Sequence, residues 1–142
     1  MSGLSEIGIC IAEDETGNAL PLLHEIAFLL ERLARDGASA TIDLGSLPMR
    51  PGDRAILEGT LGQGEVSAEI QALGATRIRE TAIHGVWWVT HCNSGDEVVA
   101  EFIEVTHFPA ILAAPEEDVR EGLSRLREAL VDTQSSHANE LP

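Results

Sequence analysis

The groups in this 142-residue chain best suited to hold a metal ion or to attack an electrophile are two thiols, Cys10 and Cys92, and five imidazoles. His84, His91, Cys92 and His107 fall within one short stretch, with Cys10 as a further candidate ligand. Thiolate and imidazole together suit zinc, iron or nickel. Neighbouring side chains on a strand point to opposite faces, however. His91 and Cys92 therefore cannot share an ion, or act as base and nucleophile, without a bulge. The sequence reads instead as a histidine at the edge of a core and a small apolar thiol, with no metal site, no cofactor and no catalytic residue. A metal- or thiol-dependent carrier using Cys92, Cys10 and the histidines is the alternative.

Other chemistry lacks its usual support. The chain has no Gly-rich phosphate loop, no H-E-x-x-H and no G-x-S-x-G. All nine basic residues are arginine, which excludes a lysine Schiff base. Glu97, Glu101 and Glu104 have no acid-and-base spacing. With 24 acidic residues the formal net charge is −15. Such a surface repels nucleic-acid phosphate and anionic lipid and attracts basic protein surfaces. Two cysteines far apart, with neither a signal peptide nor a stretch long enough to span a bilayer, read as a cytoplasmic protein.

The elements that position these residues follow from periodicity. Residues 1–17 read as an arm or, over Ile7, Ile9 and Ile11, a short strand. Leu22, Ile26, Leu29, Leu30 and Leu33 recur at helical spacing, with Pro21 in the first turn and Gly37 past the end. A short strand is expected at 40–44, a second helix at 53–61, and strands at 65–73 and 75–83. Arg77 and Arg79 should pair across the ladder with Glu69 or Glu65. Pro115 and the acids after it open a last helix with Val119, Leu123, Leu126 and Leu130 as its stripe, and Glu121 pairs with Arg125. The expectation is an α+β domain over 18–131, an antiparallel meander of about four strands with helices packed on one face, followed by a disordered polar tail over 132–142.

At the centre lies HGVWWVTHCNSGDEVVAEFIEVTHFPAIL, from His84 to Leu112, two strands around Asn93-Ser94-Gly95-Asp96. A two-residue turn at Ser94-Gly95 pairs Cys92 with Glu97, Thr90 with Val99, Trp88 with Glu101 and Trp87 with Phe102. One face then gathers Trp87, Val89, His91, Val98, Ala100 and Phe102 and should lie on the core. The other mixes Trp88, Cys92, Glu97 and Glu101 with Val86, Thr90, Val99 and Ile103. A half-wet tryptophan there calls for a covering helix or a partner protein. Trp88, Glu97 and Glu101 are the partner-facing residues on this reading.

The run GVWWVTHCNSGDEVVAEFIEV with PAIL after it, preceded by PLLHEIAFLLERL, IDLGSLP, LGQGEVSAEI and ETAIHGVW, resembles the HupH/HyaF family of hydrogenase expression proteins. The resemblance implies a non-catalytic accessory or chaperone role in [NiFe]-hydrogenase maturation. The implied partners are the hydrogenase small-subunit precursor and a thioredoxin-like accessory protein. Longer family members look like two related units in tandem, so a single unit is expected either to pair as a homodimer or to serve a different task.

Overall fold

The computed structural model describes residues 14–140. The expected strand over Ile7–Ile11, and Cys10 with it, lies outside them. The chain divides into two compact units, the first ending at Pro109 and the second beginning at Ala110.

The first unit opens with helix α1 (Ala19–Asp36), which buries Leu22, Ile26 and Leu33 and ends where Gly37 takes a left-handed conformation and donates to the Leu33 carbonyl. Strand β1 (Ala40–Asp43) buries Ile42 alone. A turn of 3-10 helix at Leu44–Ser46 leads on to helix α2 (Pro51–Leu61), with proline in its first turn. The remaining strands are β2 (Ser67–Gln71), β3 (Ala75–Glu80), β4 (Val86–Cys92) and β5 (Val98–Val105).

Among the described residues these make one antiparallel sheet in the order β1-β5-β4-β3-β2. The meander expected from sequence is present, and β1 adds a fifth strand beside β5, with Ile42 opposite Ile103. Helices α1 and α2 supply Leu22, Ile26, Leu33, Leu57 and Leu61 to a core closed from the sheet by Ile42, Val86, Trp88, Ile103 and Val105. The helices therefore sit on the face that carries Trp88. They are the covering element that the mixed face called for, and Trp87 and Val89, on the face expected to be core, are buried as well. Gly85, at φ +92, lets the entry to β4 pass close to Leu30 and Leu33 of α1.

The second unit is one turn of 3-10 helix at Ala110–Leu112 and helix α3 (Glu116–Glu140). Glu116 pairs with Arg120 and Glu121 with Arg125 at four-residue spacing. The helix runs through most of the stretch expected to be a disordered tail. No glycine or proline interrupts the chain between Gly122 and Pro142, so the ladder has nothing to stop it. Val119, Leu123, Leu126 and Leu130 form the expected stripe and are exposed.

Candidate partner-binding surface

The β4–β5 hairpin decides which side chains can meet anything outside the chain. Its loop is longer than a two-residue turn. Asn93 N–H donates to the Glu97 carbonyl and Asp96 N–H to the Asn93 carbonyl, leaving Ser94, Gly95 and Asp96 as a three-residue loop. Asp96 takes the left-handed position at φ 60, the conformation that ends a type I turn in such loops. The Asn93 side-chain oxygen accepts from Gly95 and Glu97 N–H and fixes the turn. One residue further on, Cys92 pairs with Val98 whereas His91 pairs with Ala100, so Val99 is an extra residue. Trp88 consequently faces Ile103, and Thr90 faces Glu101. The expected register is displaced by two residues.

That displacement keeps Trp88 and Glu101 on one face as diagonal neighbours. Trp88 is 1% exposed, and its indole N–H donates to Glu101 Oε2 at 2.9 Å. Arg54, one turn into α2, closes on both oxygens of Glu101 in a bidentate pair. The guanidinium carbons of Arg54 and Arg79 lie 5.3 and 4.9 Å from the indole ring centre. Glu58 links the two arginines, at 3.5 Å from Arg54 and 3.8 Å from Arg79. Burial pushes the Glu101 pKa up, but the hydrogen bonds from Arg54 and Trp88 outweigh it and the carboxyl titrates below its ordinary range. The same hydrogen bond raises the Arg54 pKa.

This geometry corrects one expectation. Trp88 is not on the surface, because α2 and two arginines cover it, and Glu101 is spent on holding them. Of the three expected partner-facing residues, Glu97 is the one left exposed, at the hairpin loop. The sequence could not reveal Arg54 as the partner of Glu101, since 47 positions separate them.

A second buried carboxylate ties the beginning of the described chain to the same helix. Asp53 is fully buried. It accepts from Thr16 N–H at 2.9 Å, the Thr16 hydroxyl at 2.7 Å, Gly17 N–H at 3.2 Å and Arg50 N–H at 2.8 Å. Burial opposes the charged form, and these donors overcome it, holding the Asp53 pKa down at about 2. Gly52 N–H donates to the Asp14 carbonyl alongside.

The candidate ligand residues do not converge. Cys92 is buried with Sγ 3.8 Å from an Arg77 nitrogen, while His91, on the opposite face, has Nδ1 2.9 Å from the Thr76 hydroxyl. His84 and His107 line one depression of about 370 Å³ with Glu80, Leu30 and Leu33. No group of three or more metal-ligating side chains occurs among the described residues.

The sheet is bare where α2 stops. Ser67, Glu69, Gln71 and Arg77 are all exposed on the Trp88 face of β2 and β3. Arg77 reaches Asp96 at 2.9 Å and Glu69, its partner across the ladder, at 3.7 Å, as the spacing predicted.

Sequence comparison carries these features to a family. Residues 16–132 match the model of the HupH hydrogenase expression protein, C-terminal conserved region. The chain belongs to this family. Its HupH match begins at Thr16, the residue that donates most to Asp53, and takes in the whole sheet. HoxQ of Azotobacter vinelandii, a hydrogenase expression/formation protein, is 38% identical over 114 residues, which cover 78% of this chain and 40% of the relative. HupH of Rhizobium leguminosarum bv. viciae is 37% identical over 112 residues, covering 78% and 39%. The chain thus spans about two-fifths of the length of these curated relatives. A solved structure of hydrogenase expression protein HupH from Thiobacillus denitrificans superposes with a TM-score of 0.79 at 44% identity, over 83% of this chain and 98% of that one. No described helix is long and apolar enough to cross a membrane.

Proposed function

We propose that the chain is a non-catalytic accessory protein of [NiFe]-hydrogenase maturation that holds a hydrogenase subunit precursor, the small subunit, during assembly in the cytoplasm. The observation that carries this reading is membership of the HupH family over residues 16–132, with relatives named as hydrogenase expression/formation proteins. The net charge of −15 supports it, because an acidic body steers toward basic segments of an unassembled subunit. Glu97, exposed at the hairpin loop, belongs to the partner-facing surface on this reading. Trp88 and Glu101 act behind it, holding α2 to the sheet. A thioredoxin-like accessory protein is the expected companion in the complex.

Affinity purification from a host expressing a [NiFe]-hydrogenase operon tests the proposal, with small- and large-subunit precursors each identified by mass spectrometry and metal measured in the same eluate. Co-purification of the small-subunit precursor with metal-free protein is the expected result. Stoichiometric iron, nickel or zinc with no hydrogenase subunit would overturn it and direct attention to Cys92, Cys10 and the histidines.

A further inference from the structure

The outer edge of β2 is unpaired among the described residues. Glu80 N–H donates to the Val66 carbonyl and Ala72 N–H to the Gly74 carbonyl, and the register pairs Ala68 with Ile78 and Ile70 with Thr76. Even-numbered residues therefore spend their backbone groups on β3. Ser67, Glu69 and Gln71 turn their N–H and C=O groups outward. The strand has none of the proline, lysine or bulge that usually blunts such an edge. Exposed apolar side chains stand at its two ends, Val66 at 47% and Leu73 at 94%. The other edge, β1, has only four residues and runs straight into a 3-10 turn.

Charge selects the occupant. Glu69 lies on the edge strand, and Asp96 lines the same depression of about 570 Å³ as Glu69, Gln71 and Arg77. The nearest cations are engaged, Arg77 by Glu69 and Asp96 and Arg79 by Glu58. A second copy pairing along the whole of β2 would set Glu69 opposite Glu69, and like charges in that position repel. An incoming segment with basic side chains gains where a second copy loses.

We propose that β2 receives an extended, arginine- or lysine-bearing segment of the subunit precursor as a sixth antiparallel or parallel strand, its aliphatic residues resting on Val66 and Leu73. This rests on the reading that the chain holds such a precursor, and it names the surface that does so. Backbone hydrogen bonds supply affinity in this mode, and alternate side chains supply selectivity.

Hydrogen exchange on the full chain, with and without small-subunit precursor, is the test. The amides of Ser67, Glu69 and Gln71 should gain protection in the complex. Glu69→Pro removes the central outward donor and leaves the bonds of Ala68 and Ile70 to β3 intact, so it should weaken binding about tenfold with unfolding unchanged. Should Glu69→Pro fail to fold, Glu69→Lys replaces it, reversing the charge and weakening binding in the same direction. Equal binding by wild type and variant without edge protection overturns the β2 assignment while precursor binding stands. If wild type binds no precursor, that reading fails, and a capped pentapeptide alternating arginine and valine becomes the probe. Protection of the three amides by the peptide supports the edge, and no protection overturns it. Protection that grows with protein concentration alone assigns the edge to a second copy. Protection already complete in the dilute free chain assigns the edge to cover from within the chain itself. Either result overturns the proposal.

Discussion

Two halves of one sheet face treat charge in opposite ways. Under α2, Glu101, Arg54, Trp88 and Glu58 form a connected set in which the carboxylate is 13% exposed and the indole is enclosed. Beyond the end of α2, Arg77 binds Glu69 and Asp96 with every side chain at least 46% exposed. The chemistry is the same, guanidinium on carboxylate, but water reaches both carboxylates of the second set, whereas in the first it reaches Arg54 and leaves Glu101 sheltered. Exposed pairs of the second kind contribute about 0–1 kcal/mol. Removing one member of the first kind leaves a poorly solvated charge behind.

The sharpest way to break this contrast is at its centre. Trp88→Ala should cost about 3–5 kcal/mol in chemical denaturation, through the cavity left beneath α2 and the loss of the indole N–H on Glu101. A loss near zero would mean that α2 does not close on the sheet. Acid is the next lever. The folded pKa of Asp53 lies below its ordinary 3.8, at about 2, so its stabilisation is complete above about pH 4 and disappears as pH falls toward 2. Glu101 shifts in the same direction and adds to the fall. The thermal midpoint should drop steeply over that window. Asp53→Asn should be less stable at neutral pH and flatter in acid, because its amide nitrogen cannot accept from the Thr16 and Arg50 donors.

Smaller effects sharpen the comparison. Arg54→Ala should cost about 1–3 kcal/mol, since Glu101 keeps Trp88 and Thr90 as donors but loses its counter-ion. Raised salt should reduce that loss only in part, since Glu101 is sheltered and Arg54 is not. Arg77→Ala should cost below about 1 kcal/mol, and what it does cost should vanish in high salt. Equal losses for the two arginines would erase the distinction between the halves.

Much of this was legible in the sequence. The leucine spacing and Gly37 bounded α1, α2 was expected from residue 53 and starts two residues earlier at Pro51, and alternation located β2 and β3 together with the Arg77–Glu69 pair. The hairpin register was not legible. Asp96 takes the left-handed position although Gly95 stands beside it, and the bulge at Val99 has no residue type to announce it. Those two departures, each of one residue, moved the Cys92 pair by one and the pairs of Thr90, Trp88 and Trp87 by two. Which face α1 and α2 would cover depended on contacts spanning tens of residues, beyond the reach of periodicity. The same distance hid the Asp53 site, where a carboxylate inside a helix's first turn looks like any other residue favoured by the helix dipole.

The Asp53 site also fixes where the folding unit starts. Three of its four donors come from Thr16 and Gly17, ahead of α1, and reach across 36 or 37 positions. A truncation beginning at Ala19 would keep every described helix and strand and yet leave the Asp53 carboxylate with Arg50 N–H alone of its four donors. The smallest self-sufficient fragment therefore begins before α1, and the few residues leading into that helix act as a latch on the fold rather than as a leader to it.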